Sequence, residues 1–385
     1  MGYEEEWISE ARRLAEEALE ACMHCGLCRA GCVSYRALRD PRYSPEARIE
    51  AAARILLRGD ARPGDVEKLY TCSMCGACTA LCPYGVETWR LVHAARMLLS
   101  RRGLQPRSLE EVKRNAARGG HSFTPRPEEP RRVLEQAARA AGVEPGAPGD
   151  ALYVPSPFET TLYPGVLRAA LTALRGAGVE ATVSPDALDL GGNAAIDAAG
   201  LDEGLGLLEA AVEEAERLGA RRIIVSGCGA DAKLAAVAEA RGLLGGVRVE
   251  SIYEAIASAP PAPCRGCLLF PSCGYGRFEA SQYPVVKRLA SAPPPRDRPP
   301  FTLCCGGGGG LSYLREKPLA QLRDRVVAWR AARLAERADT IITPCIKCYT
   351  VIKYGLLKAR MVRGRKVEHL AVYVSRRATG DKGAL

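Results

Sequence analysis

Two runs of cysteine constrain this chain more than anything else in it. "CMHCGLCRAGC" places Cys22, Cys25, Cys28 and Cys32; "CSMCGACTALCP" places Cys72, Cys75, Cys78 and Cys82, with Pro83 following. Both read C-x2-C-x2-C-x3-C. Three thiols at two-residue intervals, on a tight turn containing Gly26 or Gly76, can wrap three corners of one inorganic core. The fourth lies beyond the turn and faces elsewhere. The chain holds 16 cysteines in 385 residues, a number that in a long intracellular chain points to metal or redox chemistry rather than a disulfide framework. The N-terminus "MGYEEEWISE" is acidic, lacks an apolar signal core and carries Glu6 where a myristoylation motif wants Ser or Thr. No stretch reaches the roughly 18 consecutive apolar residues of a membrane helix. The expected location is cytoplasmic, with any attachment to the inner face of a membrane supplied by a partner.

The second run carries the trailing proline of the bacterial ferredoxin pattern, in which the fourth cysteine of each run serves the other cluster. That pattern assigns Cys22, Cys25, Cys28 and Cys82 to one 4Fe–4S cubane and Cys72, Cys75, Cys78 and Cys32 to its neighbour. A pair of zinc sites is the competing reading, but zinc ribbons supply two CxxC pairs and do not need the extra thiol twice. The surroundings predict helices. Trp7, Ala11, Leu14 and Ala18 share one face, and Ser44, Pro45 and Gly59 mark the two ends of a second helix. "VETWRLVHAARMLLSRRG" is a third, ending at Gly103. His24 reads as a solvent-facing or potential-tuning residue and His93 as a packed or half-exposed one, neither as a ligand. Residues 1–120 are expected to form a helical two-cluster domain. The formal charge is +10; two cubanes at about −2 each would leave about +6, enough to steer an acidic partner. No dense Lys/Arg run with interleaved aromatics is present, so nucleic acid is not expected as a partner.

From 121 to 150 the chain is rich in proline and charge and reads as a linker containing a short helix. Beyond it, strand and helix alternate, and short motifs recur. "YVPSP" (153–157) matches "LFPSC" (269–273), "LDLGGN" (188–193) matches "TLCCGG" (302–307), and "ARRIIVSGCGADAKL" (220–234) matches "ADTIITPCIKCYTVI" (338–352). Two copies of one α/β unit are expected, at 151–262 and 263–376. The second copy holds Cys273, Cys304, Cys305, Cys345 and Cys348. The first has Pro157, Gly191, Gly192, Cys228 and Asp231 at the corresponding places, so a site that needs several thiolates is expected in the second copy alone. The fold class is therefore α+α/β: a helical ferredoxin-like domain, then two α/β repeats, the first degenerate.

The second copy reads C-x30-C-C-x39-C-x2-C. This motif resembles the "CCG" cysteine-rich domain of the heterodisulfide reductases, and Cys72 to Pro83 with "YGVE" after it is similar to the ferredoxin-like component of the same enzymes. Their fusion in one chain looks like the single-chain form of that pair. It also looks like the iron–sulfur subunits of glycolate oxidase and anaerobic glycerol-3-phosphate dehydrogenase. The resemblance implies that Cys273, Cys304, Cys305, Cys345 and Cys348 bind a third, non-cubane 4Fe–4S cluster, with Cys304, Cys305 and Lys347 at the reacting centre. Glycines 306–310 would allow positive φ and close approach of the backbone, and would remove bulk beside the cluster. A mononuclear zinc site built from some of these thiols and a disulfide between Cys304 and Cys305 are the alternatives. "CRGC" at 264–267 lies outside the motif and reads as a disulfide or, with Cys228, as part of a zinc site.

The resemblance implies an iron–sulfur oxidoreductase subunit that passes electrons between the cubanes and a cluster acting on a disulfide or thiol. The alternative is an electron conduit for a flavin-dependent 2-hydroxy acid or glycerol-3-phosphate dehydrogenase. No G-x-G-x-x-G follows a strand and opens a helix, so flavin or nicotinamide would sit on a partner, a flavoprotein or a membrane cytochrome or quinone-linked protein. A zinc-binding protein without catalytic activity is the reading from another class.

Overall fold

The structure is a computed structural model that describes residues 2–261, 264, 266–296 and 298–378. The N-terminal part is helical. Tyr3–Ala21, Pro45–Arg58 and Thr88–Arg101 pack on one another and bury Trp7, Ala11, Ala15, Ile55, Leu91 and Leu99. The predicted helix ends hold: Ser44 Oγ accepts from the Ala47 N–H at 3.2 Å, Pro45 fills the first turn, and Gly59 closes the helix at φ +67°. Leu14 is only half-buried, because Ala15 takes the inner position beside Ala11 and Ala18. His93 is fully buried, with Nε2 2.8 Å from the Ala195 carbonyl; burial holds its pKa down at about 4.

Each cysteine run folds into the same turn. His24 and Met74 adopt φ +51° and +46°, and Gly26 and Gly76 follow at +76° and +71°. The chain then enters the short helices Leu27–Gly31 and Ala77–Leu81. These two helices touch because Gly31 has no side chain. A Cβ there would stand 2.6 Å from Leu81 Cδ1 and 3.0 Å from the Ala77 carbonyl.

Two all-parallel sheets follow. The first lobe contains β1 (Ala151–Val154), β2 (Ala181–Thr182), β3 (Arg222–Val225) and β4 (Arg248–Ser251), in the order β2-β1-β3-β4. The second contains β5 (Cys267–Leu269), β6 (Thr340–Thr343) and β7 (Lys366–His369), in the order β5-β6-β7. The triplets β1-β3-β4 and β5-β6-β7 run in the same order and sense. Short apolar strands such as "RIIV" and "TIIT" are covered on both faces, as parallel strands must be. The lobes share one interior: Tyr153, Leu167, Leu171 and Ile224 from the first pack with Leu269, Ile342, Leu370 and Val374 from the second. The expected boundary between them, at 262–263, lies outside the described residues.

The segment 121–150 is more than a linker. Its helix Glu128–Ala140 buries Leu134 and Ala138 in the same interior. His121 and Ser122 are wholly enclosed; His121 Nε2 lies 3.0 Å from Thr160 Oγ1, and the Ser122 N–H donates to Asp189 Oδ2 at 2.8 Å. Proline and charge dominate its composition, but the inward positions of the helix form an apolar stripe.

The glycine run at 306–310 is a joint between all three parts. A Cβ on Gly308 would lie 2.7 Å from the Ser73 carbonyl, one on Gly309 would strike the Cys72 carbonyl, and one on Gly310 would lie 2.8 Å from the Asp197 carbonyl. Buried Arg96 fastens it, donating to the carbonyls of Gly309 (2.7 Å), Leu69 (2.6 Å) and Cys72 (2.9 Å). Rather than only clearing bulk beside a cluster, most of these glycines bring separate backbones together. Gly309 has φ +59° and Gly364 +69°, the latter with nothing within 4 Å of an added Cβ. A left-handed non-glycine residue costs roughly 1–2 kcal/mol, so Gly364→Ala should lose about that much. Gly309→Ala adds the collision and should lose distinctly more. Calorimetric unfolding of the two variants decides; equal losses would show that this contact does not hold the joint.

Candidate metal centres

Cys22, Cys25, Cys28 and Cys82 line one cavity, and Cys32, Cys72, Cys75 and Cys78 line the next. Each group takes three thiols from one run and its last from the other. Cys78 and Thr88 border both cavities, so the two are neighbours. The first opens near the surface, where Cys25 is exposed and Met23, Leu27 and Tyr84 stand 70%, 55% and 56% accessible. His24 is exposed there too, within 3.8 Å of Glu50. The second cavity lies deeper, with Cys72 buried.

Thiols this close resist losing their protons together. Burial first, then the neighbouring Cys72 and Cys75, push the Cys78 thiol up to about 12. A polycationic core removes that penalty, and tight sets of thiols are the donors an iron–sulfur core requires. Cations are already in place. Arg48 is 2% exposed and donates through Nη1 to Cys32 Sγ at 3.2 Å, through Nε to the Lys68 carbonyl at 3.0 Å and through Nη2 to the Thr71 carbonyl at 3.1 Å. Lys233 Nζ, also buried, donates to the Met74 carbonyl at 2.6 Å. The donor set and its charges fit a 4Fe–4S group in both cavities.

The C-terminal thiols form a connected series. Cys304 touches Cys273, Cys305 and Cys75; Cys305 touches Cys348; Cys348 touches Cys345. Cys304, Cys305, Cys345 and Cys348 are buried and Cys273 is half-buried. The topology gathers them at the carboxyl ends of the strands: Cys273 follows β5, and Cys345 follows β6 and begins the helix Ile346–Lys358, the usual position for functional residues in open α/β sheets. The Gly306 N–H points at Cys304 Sγ at 3.4 Å. Arg277 donates to the Cys75 and Thr302 carbonyls, both at 2.7 Å, and Arg330 to the Leu303 carbonyl at 2.9 Å. The five thiols form one connected, mostly buried set.

Two placements differ from simple expectation, and a third selects between the two readings of 264–267. Lys347 lies between Cys345 and Cys348 in sequence, but its ammonium forms a buried ion pair with Asp197 of the first lobe and sits 5.4 Å from the Tyr313 ring; its charge is already matched. Cys264 and Cys267 pair as a disulfide, leaving Cys228 out of any set with them. Cys228 instead touches Cys345. Arg48, Arg96, Arg277 and Arg330 belong to no motif, Lys233 falls in a repeat motif only by position, and sequence reasoning missed all five. Arg48 and Arg96 left a readable trace, each being a charged residue on the apolar stripe of its helix, beside Ala52 and Ile55 or Val92 and Leu99.

Comparison with known proteins agrees with this division. A model of the 4Fe-4S dicluster domain matches residues 18–86, and one of the CCG cysteine-rich domain matches residues 267–353. The glycolate oxidase iron-sulfur subunit of Escherichia coli (strain K12) is 33% identical over 103 residues, 26% of this chain and 25% of that protein. The Hdr-like menaquinol oxidoreductase iron-sulfur subunit 2 of Archaeoglobus fulgidus is 30% identical over 132 residues, 29% of this chain and 24% of that protein. The Hdr-like menaquinol oxidoreductase iron-sulfur subunit of Archaeoglobus profundus is 31% identical over 132 residues, with the same shares of the two chains. The matched segments thus span about a quarter of these relatives, and the resemblance read from the motifs is met at both cysteine-bearing domains.

Deleting a buried charged partner costs about 3–5 kcal/mol, so Arg48→Met should destabilise the anaerobic holoprotein by that order. Arg48→Lys keeps the charge but loses the three-way fork and should recover only part. Denaturant unfolding measures both. A loss below about 1 kcal/mol for Arg48→Met, the range of an ordinary surface change, would show that the guanidinium is incidental.

Proposed function

We propose that this chain is the iron–sulfur electron-transfer subunit of an oxidoreductase complex, with its redox terminus at the C-terminal thiols. Cys22, Cys25, Cys28 and Cys82 would hold one cubane, Cys72, Cys75, Cys78 and Cys32 a second, and Cys273, Cys304, Cys305, Cys345 and Cys348 a non-cubane cluster. Such clusters, when bound, supply one-electron reservoirs at fixed positions. The observation that carries the reading is contact: Cys78 borders both N-terminal cavities, and Cys75 of the second touches Cys304 of the C-terminal site. Three donor sets therefore run in sequence from the surface near Cys25 to the interior.

The chain's own contribution is enclosure and charge. Cys304 and Cys305 are 2% and 4% exposed, so bulk water is kept from them. Arg277 and Arg330 hold the backbone just ahead of the pair, at the Thr302 and Leu303 carbonyls. Lys347, tied to Asp197, acts as a positioning residue that fixes the first turn of the helix bearing Cys348 against the first lobe. The leading substrate class is a disulfide, which takes two electrons and two protons to give two thiols. The electrons would come from a flavoprotein or a quinone-linked membrane partner. No described helix is long and apolar enough to cross a membrane, and peripheral attachment through such a partner, on the cytoplasmic side, is part of the proposal.

The first lobe is read as a degenerate copy of the second, a reading supported by the shared strand order and by Pro157, Gly191, Gly192 and Asp231 at the thiol positions. Having one such site favours the second reading, a conduit that relays electrons from a hydroxy-acid-oxidising flavin subunit. Disulfide reduction by the purified chain with an artificial donor supports the first reading; turnover only with a flavoprotein and a hydroxy acid supports the conduit. Both require roughly twelve irons with matching acid-labile sulfide per chain. Cys305→Ser should abolish the third paramagnetic centre and keep two ferredoxin-type EPR signals. Zinc in place of iron would overturn both readings.

A further inference from the structure

The first lobe keeps one thiol of its motif, and the fold brings that thiol to the other lobe's site. Cys228 is 2% exposed, stands just beyond the end of β3, and touches Cys345, which stands just beyond the end of β6. Each is the N-cap of the helix that follows, Gly229–Ala240 or Ile346–Lys358, and neither side chain caps its own helix. Two helix N-termini, each carrying partial positive charge from unpaired N–H groups, converge from separate lobes on one sulfur pair.

The next residue extends the contact to the far end of the set. A Cβ on Gly229 would lie 3.4 Å from Cys273 Sγ and 3.3 Å from the Gly274 nitrogen. Residues 228 and 229 thus span from Cys345 to Cys273 and close the site from the first-lobe side. One turn further along, Asp231 is 4% exposed and its Oδ1 has no hydrogen-bond partner among the described residues. A buried carboxylate oxygen without a partner thus lies one turn from a buried thiol that meets the other lobe's Cys345. Apolar packing accounts for a buried thiol but not for the carboxylate, whose burial without a partner is costly.

We infer that Cys228 is a sixth thiolate donor of the C-terminal cluster, supplied across the lobe interface. This rests on the reading that the five second-lobe thiols hold an iron–sulfur cluster. Binding releases the Cys228 proton to solvent or buffer and involves no change in oxidation state. Its consequence is structural as well as electronic: the cluster becomes a cross-link between the lobes.

The test is Mössbauer and EPR spectroscopy of the 57Fe-loaded full chain, comparing wild type, Cys228→Ser, Cys228→Ala and Cys305→Ser. In the Cys228 variants the third centre should change its spectrum or fall at least twofold in intensity, while the two ferredoxin-type signals keep theirs. Those two signals report that a variant has folded, and the second substitution serves if the first does not. A third centre identical to wild type in both Cys228 variants, with Cys305→Ser still abolishing it, overturns the role of Cys228 and leaves the cluster reading intact. A third centre absent from wild type, or untouched by Cys305→Ser, overturns the cluster reading and this inference with it.

Discussion

Thiolates gathered inside a protein repel one another, and the architecture of this chain is organised around that repulsion. Unit charges a few ångströms apart interact far more strongly away from bulk water than in it, so sulfur sets of this density need positive charge within reach. Arg48, Arg96, Lys233, Arg277 and Arg330 supply it from five separate elements, and each is anchored to backbone carbonyls. Several of those carbonyls belong to the cysteine loops, as at Cys72, Met74, Cys75 and Leu303. The cations therefore fix the shape of the loops as well as their charge. An isolated loop of the same sequence would have neither constraint.

The same cations explain why the helical part and the two lobes do not separate. Arg96 belongs to the helix Thr88–Arg101, yet it fastens the glycine joint of the second lobe. Lys233 comes from the first lobe and holds the second cysteine loop. Arg277 comes from the second lobe and holds the same loop. Three elements distant in sequence thus meet at residues 72–75, next to Cys304. Glycine makes the approach possible there, since Gly308 and Gly309 let backbone meet backbone where any side chain would intervene.

What was legible in the sequence was local. Cysteine spacing is set by how far a short loop can reach around a core, so both runs were readable, and the structure brings Cys82 to the first cavity and Cys32 to the second. The alternation of strand and helix followed from short apolar runs bounded by turn residues, whereas the order of strands in each sheet did not. The rest depended on pairs far apart in the chain. Nothing near Lys347 announces Asp197, 150 residues away. Nothing near Cys228 announces Cys345. In 121–150 the surface residues outnumber the buried ones, so composition concealed Leu134 and Ala138 behind proline and charge.

The two lobes share a strand order but have met the space at their strand ends in opposite ways. In the second lobe that space holds Cys304 and Cys305. In the first, Gly191 stands at φ +100°, and a Cβ there would run into the Gly204 backbone; a Cβ on Gly192 would lie 2.6 Å from the Asp231 nitrogen. The helix Leu201–Arg217 has closed onto the loop where thiols would stand. A side chain at 191 could not be accommodated without displacing that helix, so packing alone closes this space to a thiol. Two of the first lobe's buried groups, Asp197 and Cys228, reach Lys347 and Cys345 of the second instead. The first lobe, closed at its own strand ends, thus forms one wall of the space around the second lobe's thiols.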